Sequence, residues 1–197
     1  MNDSALKIKD SIIHAALPDV VFDGWTMEVI KTAALKGGND VQAVRALFPT
    51  GMADVLAHYA DLNDRLMLEK LEGVNAAEMR IRDKIHMAVM TRLEIVSENR
   101  DVEAQALAFW SLPTRSMRAS KVLWRTADAI WNWAGDTATD YNHYTKRGLL
   151  SGVIGSTMLY WMSDAQPDDD AVSAFVSRRI ENVMQLGGIL GKIKKAS

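Results

Sequence analysis

Apolar residues recur every three or four positions along almost the whole chain, and no segment alternates apolar with polar residues as a half-buried strand would. Leu6, Ile12, Ile13 and Ala16 set the pattern early; Val55, Leu56, Tyr59, Leu62 and Leu66 continue it, and Leu123, Ala127, Ile130, Trp131 and Ala134 repeat it. Only helices bury a stripe of that period, so the chain is predicted to be all-α. Capping residues and breakers place about nine helices. They run at about 3–17, 26–36, from a cap at Asn39 or Asp40 to 47, then 51–72, 76–98, 102–112, 115–134, 141–162, and from the "PDDD" run to about 186. Each of the four prolines, Pro18, Pro49, Pro113 and Pro167, falls near a predicted boundary.

The totals narrow the function classes. The chain has 197 residues, 48% hydrophobic and 24% charged, which is enough to bury a core and too balanced for a disordered segment. It contains no cysteine, which excludes disulfides, thiolate metal sites and thiol catalysis. The start, "MNDSALKIKDSIIHAALPDV", is broken by Lys7, Lys9 and Asp10 and does not read as a signal peptide. Nor does it read as a mitochondrial transit peptide, so a bacterial or already processed protein is expected. The longest uncharged run, residues 148–163, is sixteen residues long. A spanning helix needs about 20, so this run reads as a buried core helix.

Residues 1–50 imitate a helix-turn-helix unit: a helix, a "GW" corner, a second helix, a glycine turn and a short third helix. The link into the next long helix resembles the arrangement of TetR-type repressors. Charge argues against DNA, because these residues hold five Lys/Arg and six Asp/Glu. The third helix offers only Arg45, whereas groove-reading modules need several phosphate contacts. Residues 1–50 are therefore expected to be a helix-turn-helix-like unit that does not bind nucleic acid, and 51–197 a helical region for ligand binding and dimerisation. The rival is a TetR-type DNA-binding regulator with a hydrophobic effector.

A compact polar cassette, "AGDTATDYNHYTKRGLL" at 134–150, lies between two apolar stretches. Asp140 with His143, and Asp83 with His86, have the i, i+3 spacing of helix-borne metal ligands. Both pairs use aspartate where di-iron bundles use glutamate, and no further carboxylates join them, so no metal is expected. No triad spacing, nucleophile turn or phosphate loop appears, so neither catalytic residues nor a cofactor are expected. Asp136, Thr137 or Thr139 can cap the following helix. Capping leaves Tyr141, His143 and Tyr144 beside Lys146 and Arg147 unexplained, and aromatics with a polar handle suit an interface. Gly148, Gly152 and Gly155 share one helical face, which admits either a close helix neighbour or a ligand. Arg115, Arg118, Lys121 and Arg125 form a basic stripe. The end, "MQLGGILGKIKKAS", combines Leu186, Ile189, Leu190 and Ile193 with Lys192, Lys194 and Lys195, a short amphipathic basic tail. Each reads as a solvated feature or as a contact with an anionic membrane surface.

The cassette also resembles a known family. Ala-Gly-Asp at 134–136, Thr-Asp-Tyr-Asn at 139–142 and Tyr-Thr-Lys-Arg at 144–147 match the pattern of the TetR-like lipid-binding accessory proteins of ubiquinone (coenzyme Q) biosynthesis, the ninth Coq protein. "DGWT" at 23–26 matches as well, while His143 stands where eukaryotic relatives often carry Trp. The resemblance implies a TetR-like fold of about nine helices that has lost DNA binding. It implies a non-catalytic homodimer, peripheral to the bacterial inner membrane from the cytoplasm, or on the matrix side if processed in a mitochondrion. Its ligand would be an isoprenoid quinone or a phospholipid, presented to the pathway's di-iron hydroxylase. Trp131, Ile154, Met158 and Met162 are expected to line the lipid pocket, and Asp140, Tyr141, Asn142, His143 and Tyr144 to meet the partner.

Overall fold

The computed structural model describes residues 3–139 and 141–195, with side chains for 3–139 and 142–185. Every regular element among them is helical: α1 Asp3–Asp23, α2 Met27–Lys36, α3 Val41–Leu47, α4 Met52–Glu72, α5 Ile81–Ser97, α6 Arg100–Trp110, α7 Ser116–Trp133, α8 Tyr141–Met162 and α9 Asp169–Lys195. A single 3-10 turn, Pro113–Arg115, precedes α7. The all-α architecture expected from the periodicity is what forms. By internal packing the chain divides into two compact units, Met1–Arg65 with Ile95–Ala119, and Leu66–Glu94 with Ser120–Ser197.

In the first unit, Ile12, Ile13 and Ala16 of α1, Ile30, Ala33 and Ala34 of α2, and Val44 of α3 are fully shielded from solvent. Burying each large aliphatic side chain stabilises the unit by about 1.5–3 kcal/mol. The motif at 23–26 is a structural corner. Gly24 ends α1 at φ +76°, where a side chain would be strained. Trp25 donates its Nε1–H to the Val102 carbonyl at 3.1 Å and packs on Tyr59, and Thr26 caps α2 by accepting from the Val29 N–H. At the other end of α2, the Asn39 N–H reaches the Ala34 carbonyl at 2.9 Å and the Gly38 N–H reaches Leu35 at 3.1 Å. That paired closure, with Gly38 at φ +78°, makes the glycine stop legible in the sequence. Asp40, rather than Asn39, caps α3 through the Ala43 N–H.

Three boundaries differ most from the expectation, one of them the end of α9, which runs to Lys195 and not to about 186. The first helix does not stop at 17; α1 runs through Pro18 to Asp23. A proline inside a helix costs a backbone hydrogen bond. Here the turn beyond it is held by tertiary contacts, because Val20 is fully buried and its carbonyl accepts from Gly24 N–H at 2.9 Å and Gln105 Nε2 at 3.2 Å. The fifth helix begins at Ile81, not near 76. Residues 75–80 are largely exposed and offer no stripe to bury, so the chain turns there instead.

In the second unit, α8 carries the uncharged run at 148–163. One side is core, with Leu150, Val153, Ile154, Met158 and Trp161 buried beside Ala127 and Ile130 of α7 and Val172 and Val176 of α9. The other side is open: Leu159 is 70% exposed. A carbon added at Gly152 would meet nothing within 4 Å, while at Gly155 it would meet Leu123 at 3.7 Å. Tyr160 stacks on Phe175 with ring centres 4.3 Å apart, fixing α8 against α9. The aspartate run starts α9, with the Asp168 carboxylate accepting from the Asp170 N–H at 3.0 Å near the positive end of the helix dipole. Among the described residues no helix is long and apolar enough to cross a membrane.

Candidate functional site

Two polar side chains of the cassette, Asp136 and Arg147, turn inward. Arg147, from the second turn of α8, is 1% exposed. Its Nε donates to Asp128 at 2.5 Å, its Nη1 to Asp136 at 3.0 Å and to the His143 carbonyl at 3.3 Å, and its Nη2 to Asn132 at 3.2 Å. Lys146 adds a second cation to Asp136 at 2.6 Å. Asn132 closes the ring by donating to Asp128 at 3.1 Å. Two cations thus meet two carboxylates, and the planar guanidinium is satisfied along its edges, as a buried arginine requires. Burial pushes the Asp136 carboxyl up, but the hydrogen bonds from Lys146 and Arg147, the Lys146 charge and the Ala138 N–H outweigh it, and the group is held below the usual carboxylate range.

The cluster is a clamp across the α7–α8 link. Asp128, Asn132 and Asp136 follow one another at intervals of four, which carries one side of α7 into the loop. Trp131 joins from α7, donating its Nε1–H to the Lys146 carbonyl at 3.1 Å, with the Lys146 ammonium 5.2 Å from its ring centre. The structural role of Arg147, Lys146 and Asp136 was not anticipated; Asp136 had read only as a helix cap. The signal available was the pairing of a Lys-Arg doublet with an Asp-Asn-Asp series at i, i+4, i+8 a short loop away.

What remains outside the clamp is a small aromatic-polar facet. Asn142 is exposed, His143 is half-buried and Tyr144 is 64% exposed. His143 donates Nδ1–H to the Ala138 carbonyl at 3.0 Å, and its ring meets Tyr144 edge-on at 5.2 Å. Tyr144 also leans on Trp124, with ring centres 6.1 Å apart. The facet is therefore positioned from behind by buried ion pairs and from the side by α7. Asp140 and the side chain of Tyr141 lie outside the described residues.

The four residues expected to line a lipid pocket occupy different surroundings. Ile154 and Met158 border a small cavity of about 10 Å³ together with Val89, Arg92, Leu93 and Thr157. Trp131 is engaged with Lys146, and Met162 sits half-buried at the end of α8. The residues of the other sequence signals also find partners. Asp83 pairs with Arg80 at 2.6 Å, whereas His86 contacts the Ser173 carbonyl at 3.1 Å. Arg115 stacks on Phe109 at 3.5 Å and Arg118 is bound to Asp54 and Thr50, so these two members of the basic stripe serve the first unit's own packing. The side chains of the basic tail, from Leu186 on, lie outside the described residues.

Comparison with known proteins converges on the cassette. The family model COQ9 matches residues 116–187, which include α7, the clamp, the facet and α8. Over 98% of its length the chain is 32% identical to the ubiquinone biosynthesis protein COQ9, mitochondrial, of Rattus norvegicus, and 30% identical to that of Homo sapiens. It spans 64% and 62% of those two proteins, less than two thirds of each. A TetR transcriptional regulator from Nitrosomonas europaea superposes with a TM-score of 0.68 at 17% identity, covering 91% of this chain and 99% of the regulator. The fold is therefore TetR-like. Residues 134–147, which carry the resemblance, lie inside the matched stretch, and the chain is similar to the COQ9 proteins.

Proposed function

From this relationship to the COQ9 proteins of ubiquinone biosynthesis, we propose that the chain is a non-catalytic accessory factor of that pathway. It binds an isoprenoid quinone intermediate or a phospholipid through the region of Trp131, Ile154, Met158 and Met162. It then presents the ligand to the pathway's di-iron hydroxylase through Asp140, Tyr141, Asn142, His143 and Tyr144. It works as a homodimer at the surface of the membrane, on the cytoplasmic side in a bacterium or the matrix side in a mitochondrion.

The observation that supports this reading best is the division of labour inside the cassette. Asp136, Lys146 and Arg147 are consumed by internal pairing, while Asn142 and Tyr144 stay exposed on the platform they build. A platform rigidified from beneath favours recognition, because less conformational freedom is lost on binding. Exposed tyrosine beside a polar rim is the composition of protein interfaces.

The test is native mass spectrometry, with organic extraction, of protein purified gently from its own host, followed by capture of the hydroxylase. Wild type is expected to carry a polyprenyl quinone or phospholipid and to retain the hydroxylase. Tyr144→Ala is expected to keep the lipid and lose at least tenfold in hydroxylase affinity. Lipid-free protein, or equal capture by both variants, counts against the corresponding half of the proposal. The regulator reading has its own test in DNA titrations across salt concentrations, where a repressor binds tightly, sequence-dependently and with a steep salt slope.

A further inference from the structure

Thr157 lies in α8 with 1% of its surface exposed, and its hydroxyl has no hydrogen-bond partner. Buried hydroxyls are nearly always paired. A threonine within a helix ordinarily finds a carbonyl one turn back, as Thr126 does with Val122 at 3.3 Å and Ser151 does with Arg147 at 2.8 Å. Thr157 does not. Instead it borders the cavity shared by Val89, Arg92, Leu93, Ile154 and Met158. Valine has the same shape and no hydroxyl to leave unsatisfied, so an apolar core alone gives no reason for threonine here. Arg92, 7% exposed, borders the same cavity.

One unpaired hydroxyl on an otherwise aliphatic wall selects for one chemistry: an oxygen acceptor carried by an apolar molecule. We propose that this cavity is the closed form of the polar end of the ligand site, in which the Thr157 hydroxyl donates to a carbonyl or carboxylate oxygen while the aliphatic wall takes the adjoining hydrocarbon. At about 10 Å³ the cavity in this state seats no more than one water. Met158 is the part of the wall best suited to move, since its unbranched thioether changes rotamer cheaply. The inference rests on the lipid-binding reading and adds to it which end of the ligand is bound here and by which atoms.

The experiment uses the full chain and three probes: a short-chain ubiquinone, oleate, and squalene, which carries no oxygen. Binding is read by quenching of the intrinsic tryptophan fluorescence, for wild type and Thr157→Val. The valine variant should unfold at the same denaturant concentration as wild type or a higher one, and should bind squalene equally well. Its affinity for an oxygen-bearing probe should fall about three- to tenfold, the worth of one hydrogen bond. A loss confined to ubiquinone identifies a ring carbonyl as the acceptor, and a loss confined to oleate identifies a carboxylate; either supports the proposal. Unchanged affinity of Thr157→Val for both oxygen-bearing probes overturns it and leaves the lipid-binding reading standing. Failure of wild type to bind any of the three overturns that reading, and this one with it.

Discussion

Each of the two units is held by an arginine bridging two carboxylates, yet the two clusters are built differently. In the first unit Arg65 of α4 reaches Asp10 of α1 at 2.9 and 2.5 Å and Asp61 at 3.1 Å, with a third of its side chain still in solvent. His58 joins the same carboxylate at 2.7 Å. In the second unit Arg147 is almost wholly enclosed, and its partners lie within twenty residues of it along the chain. The first cluster ties together distant segments at a wetted edge and includes a titratable ring. The second fixes one local loop around a dry Arg147–Asp136 pair, with Asp128 and Lys146 reaching it from the surface. Solvent screens the former, whereas desolvation makes the latter costly to break.

The sharpest way to break that contrast is to remove each arginine in turn. Arg147→Ala leaves Asp136 buried without half of its compensation, and a loss of about 3–5 kcal/mol in unfolding free energy is expected by urea denaturation. Asp136→Asn added to it should recover part of that loss, because the stranded charge is gone. Arg65→Ala exposes Asp10 and Asp61 to nearby water, and about 1–2 kcal/mol is expected from the same measurement. Equal losses at the two sites would erase the distinction between them.

Acid separates the clusters in a second way. Burial outweighs the Asp10 attraction at His58, so its folded pKa lies below the ordinary value of about 6.5. The sign follows: the stabilisation is complete above that value and is lost as pH falls through the lower folded one. Asp10 and Asp136 are both depressed below about 3.8, Asp10 because its bonds to Arg65 and His58 outweigh burial, so what they contribute is complete above that value and is lost as the pH falls through their lower folded ones. Stability measured from pH 8 downward should therefore decline first through His58, and His58→Gln should flatten that first decline while sparing the later one. The smallest effect belongs to the facet. Tyr144→Ala should alter stability by less than about 0.5 kcal/mol, since the exposed ring is not part of the core.

Legibility in the sequence followed how local the cause was. The glycine stop after α2, the Asp40 cap, the aspartates at the start of α9 and the span of α8 were readable, because each is decided by neighbours within a turn or two. Pro18 was misread as an end because the residue that holds the helix beyond it, Gln105, is 85 positions from its contact at Val20. The cassette was located correctly as a marked segment, but its inward and outward residues could not be sorted. Lys146 and Arg147 look as solvent-loving in sequence as Asn142, and only packing shows which of them found carboxylates.

The amino-acid sequence by itself determined the helical class, the order of the helices and the likeness carried by residues 134–147, since period, caps and motif are properties of the chain alone. The tertiary structure decided which of those motif residues are scaffold and which are surface. It also left Thr157 shielded and unpaired beside Arg92 in a cavity. The physical reason is that burial is not a property of a residue. A charge is stable inside only where an opposite charge from another segment arrives beside it, and that meeting exists only in the folded chain.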